Sequence, residues 1–385
     1  MKKLAIITTH PVQYYAPVFK LLSERKQVLV KVFYTWGKNA ANKYDPGFNK
    51  NIEWDIPLLE GYTYEWVKNT SKDEGSHRFN GIINPDIITQ IEIWRPDVIL
   101  VYGWGYNSHL KVLRHFKNKI PVFFRGDSNL LDEKKGVKSL LRKFFLKWVY
   151  RHVDHAFFVG TNNKEYYKKY GLKENQLSFA PHSIDNKRFA WEREDEAALF
   201  RQSLNIGNED ILILFAGKLE EKKTPGILLD AFLTINPQSA HLLFIGNGPL
   251  EHELKLKAGN NNCVHFMDFQ NQLQMPVIYH ACDLFCLPSK GPNETWGLAI
   301  NEAMACGKAI LASDKAGAVA DLVKPGQNGA VFKAGDLADL TYQLIILIKG
   351  GKKELMNMGE CSKKLIKDWN FENQVSVVES VINNG

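Results

Sequence analysis

Two carboxylates bracket the start of a segment with helical periodicity. They are Glu294 and Glu302 in the stretch Asn293-Glu294-Thr295-Trp296-Gly297-Leu298-Ala299-Ile300-Asn301-Glu302. If a helix opens at Gly297, the amides of Gly297 and Leu298 have no partner inside it. They then make an anion site that the helix dipole reinforces. Glu302 falls about one and a half turns along that helix at 3.6 residues per turn, and Glu294 sits in the loop before it. Amides that hold an anion, with a carboxylate on either side, suit a phosphate whose neighbours carry hydroxyl groups. A ribose on one side and a hexose on the other would fit. A purely structural pair of carboxylates satisfies the same spacing.

Cations precede them. The apolar run 211–216 ends in Gly217-Lys218-Leu219-Glu220-Glu221-Lys222-Lys223. Ligands of open parallel sheets bind outside the carboxyl ends of strands, and a lysine ammonium is a compact charge suited to phosphate oxygens. A solvated charged loop is the alternative. The run 240–245 ends in a second tight turn, Gly246-Asn247-Gly248-Pro249, on the same rim. In the first half, His10, Gln13 and Tyr14 follow the first apolar run, and Arg125 and Asp127 follow the run 121–124. Both loops are expected on the rim that faces the second half, where a sugar would be handled, although a structural turn also fits. His109 lies on a helical segment, where a histidine is more often structural. Gly103-Trp104-Gly105 lacks the third glycine of a dinucleotide fingerprint and receives little weight.

The elements that must position these residues alternate. Strand-like runs at 4–9, 28–34, 98–102, 121–124, 156–159 and 177–180 are interleaved with amphipathic stretches at 17–25 and 140–151. The second half repeats the rhythm with strands at 211–216, 240–245, 264–266, 284–287 and 309–312, and helices at 226–233, 298–306 and 337–349. Strand–helix–strand order means parallel sheets wound by crossovers, hence an α/β fold of two sandwiches facing a central cleft. The first domain is expected over 1–190 and the second over 195–365. A closing amphipathic helix within 366–385 can pack on either.

Composition agrees with two ordinary globular domains: 385 residues, 45% hydrophobic and 24% charged. Five cysteines, an odd number with no paired CxxC spacing, disfavour a zinc site or a disulfide framework. No apolar run is long enough to span a bilayer, and the first apolar run is too short for a signal peptide. The expected location is therefore cytoplasmic. The net charge of +7 leaves an anionic substrate, a membrane surface or nucleic acid as partners.

Taken in order, Gly217-Lys218-Leu219 with Lys223, Gly246-Asn247-Gly248-Pro249, Ala281 to Ser289, and Glu294 to Glu302 resemble the retaining glycosyltransferases of family 4, the group 1 glycosyl transferases. Their architecture of two Rossmann-like domains is called GT-B. The stretch from Pro181-His182-Ser183-Ile184-Asp185 resembles the family as well, and so does the closing Trp369 segment, which by that resemblance would cross back so that the helix at about 366–385 packs on the first domain. The resemblance implies a hexosyltransferase that retains anomeric configuration, takes a nucleotide-diphospho sugar and needs no metal or other cofactor. Lys218 and Lys223 would hold the donor diphosphate, Glu302 the ribose, and Glu294 the donor sugar near the reacting carbon. Gly297 and Leu298 would offer amides to the diphosphate, beside the turn Gly246, Asn247 and Gly248. A glycan or lipid-linked acceptor would fall to the first domain, with His10, Gln13, Tyr14, His109, Arg125 and Asp127 as its candidates. Bacterial surface polysaccharide synthesis is the implied setting. Two features depart from the family. The first turn is not glycine-rich, and Arg125-Gly126-Asp127 stands where a histidine often ends a strand. A nucleotide-sugar epimerase or a phosphorylase of the same fold is the alternative. A nucleic-acid-binding protein is disfavoured, because the basic residues follow no reader motif.

The positive charge concentrates between Lys134 and Arg151. There, Lys138, Arg142, Lys143, Lys147 and Arg151 interleave with Leu140, Phe144, Phe145 and Trp148, and no acidic residue intervenes. Such a helix can lie in an anionic headgroup interface, or it can pack its apolar side on the first domain.

Overall fold

The computed structural model describes residues 1–38, 43–45, 50–133, 136–292 and 294–384. Lys134 and Lys135 of the basic run and Asn293 of the second-half loop lie outside them. The chain forms two compact units. One contains Met1–Lys43, Ile56–His182 and Phe371–Gly385, and the other contains Tyr44–Asp55 and Ser183–Asn370.

The first unit is built on a parallel sheet of β1 (Lys2–Thr8), β2 (Val28–Tyr34), β3 (Thr63–Trp66), β4 (Val98–Tyr102), β5 (Val122–Arg125), β6 (His155–Phe158) and β7 (Leu177–Phe179). Its strand order is β3-β2-β1-β4-β5-β6-β7. β4 is buried along its whole length, as its unbroken run Val-Ile-Leu-Val-Tyr requires for a strand covered on both faces. The sequence pattern passed over β3 because its residues, Thr-Tyr-Glu-Trp, sit half-exposed at the sheet edge and carry no apolar run.

The closing helix, Phe371–Asn384, belongs to this unit. Phe371, Val375, Val378 and Ile382 recur at helical spacing and enter the core that holds Val18, Phe19 and Leu22 of helix Ala16–Glu24. Burying four such side chains contributes about 1.5–3 kcal/mol each. Arg25 adds polar ties across the same seam, to Ser376 Oγ at 2.9 Å and to Glu379 at 3.4 Å.

The second unit repeats the plan with β8 (Ile211–Ala216), β9 (Ala240–Ile245), β10 (Val264–Met267), β11 (Leu284–Leu287), β12 (Ala309–Ser313) and β13 (Gly329–Phe332). The order is β10-β9-β8-β11-β12-β13, again all parallel. β13 is short and opens on a glycine, which hid it from the apolar pattern. The helical run that starts at Leu337 continues to Ile366, broken at Gly351 by a positive φ of 74°.

Two boundaries differ from the sequence expectation. The units divide between His182 and Ser183, ahead of residue 190. Residues 44–55, expected in the first domain, join the second unit, because Asn271 Nδ2 donates to Glu53 O at 2.6 Å and the Leu273 amide donates to Asp55 at 3.0 Å. Both ties are polar and long-range, so no local pattern announces them.

Candidate functional site

In each sheet the chain leaves two adjacent central strands in opposite directions: β1 and β4 in the first unit, β8 and β11 in the second. Such a switch point opens a crevice at the carboxyl ends of the strands. The second-unit crevice is framed by the loop after β8 with Lys218 and Lys223, and by the loop after β11 with Ser289 and Glu294.

Backbone contacts hold this rim together. The Leu219 amide donates to Asn247 O at 3.0 Å, and Leu219 O accepts from the Leu250 amide at 3.0 Å. The two turns are thereby joined so closely that a Cβ on Gly248 would lie 2.4 Å from Leu219 O. Asn247 serves the turn itself. Its amide nitrogen donates to Glu251 and Asp268, and its oxygen accepts from the Phe269 amide at 2.9 Å. The β8 and β11 loops are tied in turn, by the Lys290 amide to Lys222 O at 3.0 Å and by Thr224 Oγ1 to Pro288 O at 2.6 Å.

Within that frame Lys223 Nζ donates to Glu294 Oε2, and Ser289 Oγ donates to the same oxygen at 2.9 Å. The Glu294 and Lys223 side chains are 8% and 19% exposed, so the pair is largely shielded from water. Ser289 is the member that sequence reasoning missed. It stood in the quoted motif, but nothing local reveals that its hydroxyl folds back five residues to meet a carboxylate. Lys218 is half-buried just past β8.

Gly297 has φ 98° and caps the helix Leu298–Ala305, a conformation that side chains resist. A Cβ there would also meet Leu287 Cδ2 at 2.8 Å. The helix begins where the sequence placed it, so the first-turn amides at Gly297 and Leu298 stand at its open end. Glu302 is 4% exposed and accepts a hydrogen bond from the Tyr279 hydroxyl at 2.9 Å. Trp296 braces the same loop, donating from Nε1 to Asn301 Oδ1 at 2.9 Å and stacking on Trp369 with ring centroids 5.1 Å apart.

The first-unit candidates separate into two groups. His10 packs edge-on against Trp36 and shares a 2.9 Å hydrogen bond with Thr9 Oγ1, and Gln13 and Tyr14 are half-buried in the turn that opens the next helix. Asp127 lines a cavity in this unit. His109 and Arg125, in contrast, are enclosed. His109 is 0% exposed and held by Thr35 Oγ1 at 2.8 Å and Gly103 O at 2.9 Å, and burial lowers its pKa to about 4. The Arg125 guanidinium is 2% exposed and donates to Ala180 O and Pro181 O at 2.9 and 3.0 Å. Both residues brace the sheet end, with these nitrogens engaged by backbone carbonyls or a neighbouring hydroxyl. Gly103, Trp104 and Gly105 stand near Asp127 in the same unit. Given little weight as a motif, they form a wall of that cavity.

The basic segment folds as the helix Val137–Tyr150. Only Leu146, Val149 and Tyr150 are buried, whereas Val137, Leu140, Leu141, Phe144 and Phe145 are 42–76% exposed. Lys138, Arg142, Lys147 and Arg151 are also exposed, and Lys143 is half-buried. Trp148 differs from the others. It is half-buried, and Arg114 and Arg151 lie over its ring at 5.3 and 6.0 Å. Among the described residues, no helix is long and apolar enough to cross a membrane.

Comparison with known proteins gives three findings. Residues 196–365 match the family described as Glycosyl transferases group 1. The chain is 27% identical over 229 residues to an N,N'-diacetylbacillosaminyl-diphospho-undecaprenol alpha-1,3-N-acetylgalactosaminyltransferase of Campylobacter jejuni, covering 57% of this chain and 59% of that one. The chain thus spans about half the length of the curated relatives it matches. Among solved structures it is similar to sucrose-phosphate synthase of Thermosynechococcus elongatus (TM-score 0.75, 16% identity, 100% of this chain and 99% of that one). It is also similar to Anabaena Alr3699/HepE in complex with UDP (TM-score 0.74, 18% identity, 100% of each chain). At such identities these likenesses speak to the fold alone.

Proposed function

The chain belongs to the glycosyl transferases group 1 family through residues 196–365 and has the GT-B fold; from that premise we propose that it transfers a sugar from a nucleotide-diphospho donor to a glycan or lipid-linked acceptor, with retention at the anomeric carbon. The observation that carries the reading is the convergence of Lys223, Ser289 and Glu294 beside the helix that opens at Gly297, all at the switch point of the second sheet. Transfer requires stabilisation of the charge that builds on the leaving diphosphate. Fixed cations and amides provide it without reorganising during the reaction. Lys218, Lys223 and the Gly297–Leu298 amides take that part, Glu302 binds the ribose, and Glu294 positions the donor sugar. The resemblance and the lack of a DxD sequence favour transfer without a metal ion.

The test is a panel of UDP- and GDP-sugars. A matched donor should raise the melting temperature by mass action and should transfer its sugar to added acceptors in the presence of EDTA. Lys218→Ala and Lys223→Ala should each lose more affinity for the nucleoside diphosphate than for the nucleoside. Equal losses for the two ligands would remove phosphate binding as the lysines' role. Activity abolished by EDTA and restored by Mg²⁺ would overturn metal independence. Conversion of the donor to an epimer without transfer would overturn the transferase reading.

A lipid-linked acceptor in bacterial surface polysaccharide synthesis is the setting we propose, with the enzyme peripheral on an anionic membrane face. The Campylobacter relative is named for a diphospho-undecaprenol substrate. In this chain the helix Val137–Tyr150 leaves five large apolar side chains uncovered among cations, with no acidic residue in it. Each Lys or Arg near an anionic surface contributes about 1 kcal/mol. The protein should therefore co-sediment with phosphatidylglycerol-containing vesicles at low salt, less so at high salt, and not with neutral vesicles. Leu141→Ser with Phe144→Ser should abolish binding without lowering the melting temperature, because both residues are already in water. Absence of binding at low salt, or binding indifferent to lipid charge, would overturn the membrane assignment.

A further inference from the structure

Two donors converge on one oxygen of Glu294. Lys223 Nζ and Ser289 Oγ both donate to Oε2, the hydroxyl at 2.9 Å. Oε1 takes neither bond and faces Gly297, 3.7 Å from where a Cβ on that residue would stand. The two donors differ in kind. A lysine ammonium is a compact charge on a flexible four-carbon stem, so it attracts a carboxylate without fixing its direction. A serine hydroxyl stands one torsion from the backbone, and where the backbone is fixed its donor direction is fixed too.

The backbone of Ser289 is held from the neighbouring strand. Ser289 lies just past β11, and its carbonyl accepts from the Ser313 hydroxyl at the end of β12. Both serines are 0% exposed. The loop after β12 also grips the chain around the carboxylate. The Gly317 amide donates to Glu294 O at 3.2 Å, and the Ala318 amide donates to Trp296 O at 2.9 Å. The serine anchor thus belongs to packed strand ends, whereas Lys223 stands in a loop whose charge is also needed for phosphate.

We propose that Ser289 is a positioning residue for Glu294: its hydroxyl holds Oε2 while Lys223 turns its charge to the donor diphosphate, and so keeps Oε1 presented to the donor sugar. The proposal rests on the transferase reading above and deepens it, by dividing the carboxylate into one anchored oxygen and one offered oxygen. Before a ligand arrives, Lys223 neutralises the carboxylate. Once a diphosphate draws that charge away, the neutral hydroxyl is the anchor that stays. A hydroxyl that donates to a carboxylate makes a charge-assisted bond, about twice as strong as one between neutral groups, so a single serine suffices.

The experiment uses the full chain with UDP-glucose, UDP-N-acetylglucosamine and GDP-mannose. It follows release of UDP or GDP at saturating donor, with calorimetry on UDP and GDP alone. Ser289→Ala should slow release ~10-fold, the low end for a hydrogen bond to a charged group, and leave affinity for the free nucleoside diphosphate unchanged. Ser289→Cys keeps nearly the same volume but offers only a weak donor, so it should slow release as alanine does. A cysteine variant at the wild-type rate would make Ser289 a packing residue and overturn the proposal. In a Glu294→Ala background, Ser289→Ala should slow release little further, because both substitutions act through one carboxylate. Losses that multiply in the double variant would overturn the proposal. So would an alanine variant with the wild-type rate, or one whose nucleoside-diphosphate affinity falls in step with its rate. Failure of the transferase reading would register separately, in a wild-type protein that neither binds UDP or GDP nor consumes any of the three donors, and the proposal would fall with it.

Discussion

Glu294→Gln should lower the turnover of sugar transfer roughly 10- to 150-fold, while affinity for the nucleoside diphosphate stays level or rises. In the structure Glu294 neutralises Lys223, and Ser289 donates to the same carboxylate oxygen. The lysine is thus held in place but has its charge partly spent on a neighbour. An amide at position 294 keeps the shape and removes the counter-charge. Lys223 is then left largely buried with a full positive charge, and a diphosphate is the next anion it meets. Breaking a buried pair costs about 3–5 kcal/mol when one partner is removed outright, and somewhat less here because the amide can still accept a hydrogen bond. The ligand-free variant should therefore melt earlier than the wild type and recover more of its stability when nucleoside diphosphate is added. Initial rates, calorimetry and melting curves with and without ligand make the measurement. Affinity that falls in step with turnover would mean that Glu294 acts only by placing Lys223 and does not touch the donor sugar.

Glu302→Ala should weaken donor binding by about the same factor, 10- to 150-fold, with turnover at saturating donor little changed. Glu302 lies within the first turns of the helix that opens at Gly297, and the Tyr279 hydroxyl fixes it at 2.9 Å. A carboxylate oriented in this way is a pre-set acceptor for ribose hydroxyls. Alanine also removes the hydrogen bond from the Tyr279 hydroxyl, typically worth about 1.5–3 kcal/mol for a bond to a charged group, so lost stability could pass for lost binding. Glu302→Gln separates the two effects. Its amide oxygen still accepts from Tyr279, so stability should hold, yet the charged acceptor for the ribose is gone and affinity should fall. A glutamine variant with wild-type donor affinity would reduce Glu302 to a packing residue.

Much of this was legible in one dimension because the signals are local. The strand 28–34, the strand 98–102 and the three second-half strands at 211–216, 240–245 and 284–287 announce themselves as apolar runs, since a parallel strand covered on both faces must be apolar throughout. The helix after Gly297 is equally local: a residue free to adopt positive φ, then a helical period. From these two rules follow the α/β class, the two-unit plan and the loops that stand at strand ends. Strands without the signal, Thr63–Trp66 at an edge and Gly329–Phe332 behind a glycine, were invisible for the same reason.

Tertiary structure decided which polar groups meet. Lys223 and Glu294 are 71 residues apart in sequence, and only the adjacency of β8 and β11 brings them into contact. That contact turns two expected ligand groups into a pair that share one proton-donor bond before any ligand arrives. Burial sorted the first-unit candidates in the same way. His109 and Arg125 have residue types suited to catalysis, but the fold closes over them, and each spends its nitrogens on backbone carbonyls or a neighbouring hydroxyl. Trp104 and Tyr166, unremarkable as letters, line a cavity because the ends of β4 and β5 and the helix Val137–Tyr150 converge there. Residue type and spacing determine which elements form and which groups stand at their ends. Whether a group is enclosed, paired or left facing a cavity depends on neighbours far away in the chain, and only the packed sheet supplies those.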